Sequence, residues 1–185
     1  MLNKALLMDI ILQARHHTIG PLIDRCADPD RQTRKNASFA IGNIAFHNDM
    51  FYEELRRCIP QLANLLLSSA EKHMTKVNAA FALCNLVRHS NKLWDEIISK
   101  GAMQALLKLA ADCSLVALNS SEKDAINELL LKTALLSLQK MCAYPQCRQF
   151  LCSSELFTVI GRLRQSHESS IANLALEIIH KVTNA

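Results

Sequence analysis

Lys76-Val77-Asn78-Ala79-Ala80-Phe81-Ala82-Leu83-Cys84-Asn85-Leu86 repeats Arg34-Lys35-Asn36-Ala37-Ser38-Phe39-Ala40-Ile41-Gly42-Asn43-Ile44 at an offset of 42 residues (78 − 36). Asn, Ala, Phe, Ala and Asn return at the same places. A fixed period of this length marks a helical solenoid, whose units are too small to bury an apolar face alone and so stack on their neighbours. Stacked helical repeats present an extended surface for holding another chain, which turns the functional question away from catalysis.

The register continues with fading fidelity. Ala134-Leu135-Leu136-Ser137-Leu138 aligns with Ala79-Ala80-Phe81-Ala82-Leu83 at an offset of 55 (134 − 79), which places 13 extra residues within Ala111–Asp124. Ala172-Asn173-Leu174-Ala175-Leu176 aligns again 38 residues on (172 − 134). The small pairs Ala37/Ala40, Ala79/Ala82, Ala134/Ser137 and Ala172/Ala175 sit at i, i+3, one face of a helix, where they let a neighbouring helix approach closely. A second element, Cys58-Ile59-Pro60-Gln61-Leu62-Ala63-Asn64-Leu65-Leu66, corresponds to Lys100-Gly101-Ala102-Met103-Gln104-Ala105-Leu106-Leu107-Lys108.

Composition fits a helical protein of one domain. Half of the 185 residues are hydrophobic, only 5% are aromatic, and Gly and Pro number four each, too few for a turn-rich β sandwich. No run reaches the roughly 18 apolar residues of a membrane span. Met1–Leu12 is apolar, but Asp9 interrupts it and no small-residue cleavage site follows, which argues against a secretory signal and for a cytoplasmic setting. The net charge of +4 is mild and its Lys and Arg residues are dispersed, so neither nucleic acid nor membrane is expected as a partner. Seven cysteines, an odd number without a CxxC pair, read as reduced core residues rather than disulfides or metal ligands. Cys142, Cys147 and Cys152, spaced by five, do not share a helical face.

Boundary signals divide the chain into helices. Asp28 can cap a helix with Pro29 at its first position, and Pro60 and Pro145 can open helices in the same way. Gly101 suits a left-handed cap. The expected helices are 2–15, 21–26, 30–46, 49–57, 60–67, 72–88, 91–99, 102–111, 124–143, 145–151, 155–165 and 168–182. The expected units are an N-terminal cap 1–28, then 29–70, 71–111, 112–154 with a loop insertion 112–124, and a C-terminal cap 155–185. In the insertion, Ser121 can cap the following helix, with Asp124 three residues on. A solenoid insertion of this kind is tolerated as a surface loop and can carry a partner contact or a phosphosite.

Short, short, long is the rhythm of the armadillo repeat. Asn78–Leu86, then Asn91, then Ile97-Ile98-Ser99-Lys100-Gly101-Ala102-Met103-Gln104-Ala105-Leu106-Leu107 resemble its alanine-rich third helix ending in Asn-Leu, its spaced Asn and its joining Gly-Ala. The resemblance implies an all-α fold, a right-handed armadillo-repeat α-solenoid of about three repeats plus partial end units. HEAT repeats are the nearest rival, and the joining Gly-Ala favours armadillo. Phe46-His47-Asn48-Asp49, Tyr52-Glu53-Glu54-Leu55-Arg56-Arg57, Arg88-His89-Ser90-Asn91-Lys92-Leu93, Cys147-Arg148-Gln149-Phe150-Leu151 and Ser153–Ser166 further resemble the C-terminal region of Fused-type serine/threonine kinases. That resemblance implies a non-catalytic scaffold within a longer kinase, acting in Hedgehog signalling and cilium assembly or in cytokinesis. It implies kinesin-like or signalling partners and a cytoskeletal or ciliary location. The kinase motifs themselves are missing here: there is no Gly-rich loop, no His-Arg-Asp and no Asp-Phe-Gly. The alternative reading is a standalone armadillo adaptor that holds an extended peptide of a transport or cytoskeletal partner. An enzyme is the remote third, because Gly-x-Ser-x-Gly, His-Glu-x-x-His and Walker patterns are absent too, and no cofactor is called for.

The armadillo resemblance implies a binding groove along the third helices. Peptide-binding members carry a Trp and, four residues later, an Asn whose amide can donate to and accept from an extended backbone. Here the matching pairs are Phe39/Asn43 and Phe81/Asn85, with Phe in place of Trp. In the next units the pairs become Leu136/Lys140 and Leu174/Ile178, so the ladder lapses. The candidate groove is Asn36, Phe39, Asn43, His47, Asn78, Phe81, Asn85, His89 and Lys140. A second reading stays open, in which the Asn residues brace adjacent repeats and the Phe residues belong to the core. His47 and His89 either flank the groove or complement helix dipoles. Lys35, Lys76, Arg88, Lys132 and Lys140 add positive charge along the same helices. Trp94, with Leu93 and Ile97, reads as core.

Overall fold

A computed structural model describes residues 18–47, 49–118 and 124–184 of the chain, and every regular element among them is helical. The helix expected over residues 2–15 lies outside the described residues. The described residues hold eleven α-helices: α1 (Gly20–Asp24), α2 (Arg31–His47), α3 (Tyr52–Leu55), α4 (Ile59–Leu67), α5 (His73–Leu86) and α6 (Trp94–Ser99), then α7 (Ala102–Leu118), α8 (Ala125–Met141), α9 (Pro145–Ser153), α10 (Phe157–Leu163) and α11 (Ser169–Thr183). Short 3-10 turns, Arg25–Ala27 and Arg56–Cys58, follow α1 and α3.

Several boundaries form where the sequence signals them. Pro145 opens α9 and Pro60 sits in the first turn of α4, where no backbone N–H is needed. Gly101, with φ of 73°, makes the left-handed link between α6 and α7, and no other described residue has positive φ. The cap before α2 differs from expectation. Asp30, not Asp28, accepts from the Thr33 N–H (2.7 Å) and hydroxyl (2.8 Å). Asp28 is extended and accepts from the Asp30 N–H at 2.8 Å, a side-chain turn that delays the helix by one step. The insertion differs as well. The expected loop begins instead as a continuation of α7 to Leu118. Leu106, Leu109, Ala110 and Cys113 keep an apolar stripe at i, i+3, i+4 and i+7 buried, and that burial carries the helix on. Asp124 caps α8 by accepting from the N–H groups of Ile126 and Asn127. Ser121 lies outside the described residues.

The helices stack in layers that run along the solenoid. The third helices α2, α5, α8 and α11 pack on one another in order, as do the second helices α4, α7 and α10. Between the third helices the small-residue stripe closes up. Ala79, Ala82, Ala134 and Ser137 are all fully buried, with Leu83, Leu135 and Leu138 beside them. In the outer helices Ala37 and Ala175 are buried while Ala40 and Ala172 are half-buried. At Gly42 the helices approach closely. A Cβ built there would lie 2.9 Å from Cδ1 of Phe81 and 3.5 Å from the Ala82 Cα. Leu93 and Ile97 are buried as expected, whereas Trp94 is half-buried and lines an open hollow of ≈ 580 Å³ between α6 and α9, together with Ile98, Gln149 and Phe150.

All seven cysteines are free, and six of them are buried, Cys152 being the exposed one. Burial pushes the thiols of Cys26 and Cys142 up to about 12 and those of Cys113 and Cys147 up to about 11. It raises Cys58 and Cys84 in the same direction. Such thiols pack as small apolar groups and resist ionisation.

Two predictions follow from this packing. In an unstrained helix Gly→Ala stabilises by roughly 0.5–1 kcal/mol. Gly161, inside α10 with open space around it, should show that gain, whereas Gly42→Ala should lose about 1–2 kcal/mol in denaturant unfolding, because the new methyl must push the Phe81 ring. A gain at Gly42 equal to that at Gly161 would contradict the close approach. For the thiols, a disulfide-exchange reagent should modify one cysteine quickly in the native protein and all seven after denaturation. The buried thiols stay protonated in the folded chain while those of the unfolded chain ionise near pH 9. Stability is therefore complete below about pH 9 and falls as pH rises toward the folded values. A melting temperature that rises between pH 8 and 10 would contradict it.

Candidate functional site

The helical period aligns one stripe of α2: Lys35, Phe39, Asn43 and Phe46/His47 stand at successive i+4 or i+3 steps. Phe39 is 52% exposed, and Asn43, Phe46 and His47 are exposed with it. The corresponding row of α5 is Val77, Phe81 and Asn85, with Arg88 and His89 in the turn just past its C-terminal end. The row of α8 is Lys132, Leu136 and Lys140, with Leu136 and Lys140 exposed.

Equivalent sequence positions have different fates. Asn43 points to solvent, while Asn85 is 2% exposed and its amide donates to the Gly42 carbonyl at 3.0 Å, 43 residues back. Asn36 is exposed, its side-chain carbonyl accepting from Gln32 at 3.0 Å, while the Asn78 amide donates to the Lys35 carbonyl at 3.0 Å, again across 43 residues. The amides of α5 thus brace α5 to α2. His89 joins them: its Nε2 lies 2.7 Å from the Phe46 carbonyl, and since a carbonyl only accepts, Nε2 carries the hydrogen. His89 therefore caps the C-terminal end of the preceding third helix rather than its own. Phe81 is half-buried, and Leu136 in the next unit is exposed.

A cluster that the repeat alignment alone did not single out lies at the C-terminal end of α2. The Phe46 ring stacks against Phe81, with centroids 6.4 Å apart, and meets His47 edge-on at 5.4 Å. The Arg88 guanidinium rests 4.2 Å from the Phe46 centroid. Beneath it, the fully buried Tyr52 donates its hydroxyl to the Asn85 carbonyl and accepts from the His89 N–H at 3.4 Å. Burial pushes the Tyr52 phenol above its usual range. From the other side Tyr144, just past α8, reaches back to the end of α5 and donates to the Val87 carbonyl at 3.2 Å. The available signal was the register itself: Phe46 and Arg88 occupy the same repeat position (88 − 46 gives 42), which puts an aromatic ring beside a cation on adjacent helices.

At the other end of the same face, an open hollow of ≈ 720 Å³ lies between the first turns of α2, α5 and α8, lined by Arg31, Gln32, Lys35, Met74 and Ile126 among others. Beside it the Arg34 side chain bridges Glu71 and the Asp28 carbonyl (2.6 Å). Among the described residues no group of three His, Cys, Asp or Glu side chains is placed to hold a metal ion, and no helix is long and apolar enough to cross a membrane. The shifted titrations there are buried thiols and phenols pushed up, an Arg56 raised by Glu96, and the carboxyls of Asp28, Asp30 and Glu168 held low by hydrogen bonds at caps and turns. The arrangement is built to hold a surface in shape.

No protein-family profile matches the chain. Over 132 of its residues, 71% of its length, it is 61% identical to serine/threonine-protein kinase TIO of Arabidopsis thaliana. The chain spans about a tenth of that protein's length. The resemblance to a Fused-type kinase segment is thereby borne out. Among solved structures, an engineered protein superposes with a TM-score of 0.72 at 20% identity, over 89% of this chain and 37% of its own. A designed armadillo repeat protein, solved with the peptide (KR)4, superposes with a TM-score of 0.53 at 18% identity, over 94% of this chain and 85% of its own. At these identities the likeness fixes the fold, which is an armadillo-type all-α solenoid.

The divided roles of the paired amides predict different outcomes for the same substitution. Asn85→Ala removes the buried side-chain amide that bonds the Gly42 carbonyl across to α2 and should cost about 1–3 kcal/mol in unfolding free energy. Asn43→Ala, at an exposed site, should stay within about 0.5 kcal/mol of wild type. Equal effects in paired denaturant titrations would contradict the assignment.

Proposed function

We propose that this chain is a non-catalytic interaction region of a longer Fused-like serine/threonine kinase, and that it grips a segment of another protein along the exposed face of α2, α5 and α8. The observation that carries this reading is the row of outward side chains Phe39, Asn43, Phe46, Leu136 and Lys140 on a layer of stacked helices. Exposed apolar side chains grouped on one face mark a contact surface rather than a solvated one. The sequence identity supplies the context. Targeting or regulation of the kinase in cytokinesis, or in Hedgehog signalling and cilium assembly, with kinesin-like or signalling partners in the cytoplasm, is the role proposed for it. The phosphotransfer chemistry would then belong to another part of the longer protein.

The repeat units proposed are 29–70, 71–111 and 112–154, between end caps 1–28 and 155–185. The candidate groove within them is Asn36, Phe39, Asn43, His47, Phe81 and Lys140. Asn78, Asn85 and His89 serve it from beneath by fixing the spacing between helices.

Affinity capture from cell extract with wild type and with the triple variant Phe39→Ala, Asn43→Ala, Leu136→Ala tests the proposal. All three side chains reach solvent, so the melting temperature should hold. Each anchor lost at a contact surface costs on the order of 1 kcal/mol, so proteins retained by wild type should fall at least tenfold in yield. The same proteins retained at equal yield by the folded variant would overturn the face assignment.

A further inference from the structure

Three of the four third helices carry an excess of positive charge. The helices α2, α5 and α8 carry Arg31, Arg34, Lys35, Lys76, Lys132 and Lys140 against a single carboxylate, Glu128. Neither α2 nor α5 contains an acidic residue. Arg34 is held by Glu71 and Lys132 by Glu168. No carboxylate among the described residues pairs with Lys35, Lys76, Arg88 or Lys140. Around the first helices the opposite holds. Glu53 and Glu96 meet Arg56, and Asp49 meets Lys92 at 3.3 Å, so charge is largely balanced in place. The field on the third-helix side is left for an incoming chain to neutralise.

The same side exposes its apolar residues. Phe39, Met74, Ile126, Leu129 and Leu136 are each 40–52% exposed, and all stand on α2, α5 or α8. Cations and apolar side chains interleave: Lys35 precedes Phe39 by one helical turn, and Lys140 follows Leu136 by one. Arg88 stays exposed while its guanidinium rests against the Phe46 ring, which holds its donor fork in place instead of leaving it free to swing. A placed guanidinium without an ion-pair partner among the described residues is suited to a bidentate carboxylate.

We infer that the partner of this face is an acidic amphipathic segment, with Asp or Glu side chains for Lys35, Arg88 and Lys140 and apolar side chains for Phe39, Phe81 and Leu136. The inference rests on the third-helix reading proposed above and adds the sign and pattern of the ligand. Helix axes in such a layer stand about 8–10 Å apart, and an extended chain rises about 3.3 Å per residue. Such a segment advances about three residues per helix, and about eight residues cross α2, α5 and α8. A basic peptide such as the (KR)4 held by the designed armadillo protein would meet like charge here.

A displayed library of random dodecapeptides, selected on the wild-type chain, tests the inference. The selected sequences should be rich in Asp and Glu interleaved with Leu, Phe or Ile. A synthetic peptide from the selected set should lose affinity at least tenfold to the folded variant Lys35→Glu, Arg88→Glu, Lys140→Glu, and weaken steeply as salt is raised. A folded control, Arg57→Glu at an exposed position after α3, should bind as wild type does. Selected peptides that are basic or uncharged, or acidic peptides indifferent to the charge reversal, would overturn the inference. If those peptides still lost binding with Phe39→Ala and Leu136→Ala, the third-helix face itself would stand. A selection that yields no peptide sensitive to either set would overturn both.

Discussion

The lateral contact between α2 and α5 is the constraint on which the rest depends. Two side-chain amides reach back across 43 residues to carbonyls of the preceding third helix, and His89 closes the end of that helix across the same separation. These bonds fix the register of one helix on the next. Gly42 and the alanine stripe fix their distance. A solenoid has few contacts between units far apart in sequence, so its shape is the sum of such nearest-neighbour steps. An error in one step displaces everything beyond it.

The steps along the chain are not made alike. From α2 to α5 the donors are amides. From α5 to α8 the Ser137 hydroxyl donates to the Ala80 carbonyl at 3.0 Å, and Tyr144 reaches Val87. From α8 to α11 the Lys181 ammonium reaches the Gln139 carbonyl at 3.3 Å, and Gln139 meets Glu177. The donor chemistry changes while the small-residue packing persists, which is why the sequence repeat fades along the chain while the stacking of the helices continues. Asn78, Asn85 and Ser137, which make three of these bonds, are turned toward the neighbouring helix, while Phe39, Leu136 and Lys140 on the outward side make none of them. The residues proposed to meet a partner, Phe39, Leu136 and Lys140, are thus distinct from the amides that brace the layer.

The helical class, the period and the third-helix assignment were legible because apolar periodicity and small residues at i, i+3 report burial directly. Cap positions were less legible: Asp28 and Asp30 are both competent, and the side-chain turn at Asp28 decides between them. The helical extension to Leu118 was hidden because an insertion disturbs the repeat register, although its own apolar stripe at Leu106, Leu109, Ala110 and Cys113 carried the signal. The paired amides show the harder limit. Asn43 and Asn85 are indistinguishable by repeat position, yet one faces solvent and the other is buried against Gly42. What separates them is the helix lying alongside, a tertiary fact that a repeat position does not encode. The Phe46–Arg88 contact lay closer to hand, because the two residues share a repeat position on stacked units.

Amide chemical-shift mapping of the isotope-labelled chain with a bound partner segment tests the central claim most directly. The account predicts that the largest perturbations cluster in residues 35–47, 81–89 and 129–140, along one side of α2, α5 and α8, with residues 52–58 and 94–99 of the first-helix side little changed. Perturbations concentrated on that first-helix side, with the third helices silent, would contradict it.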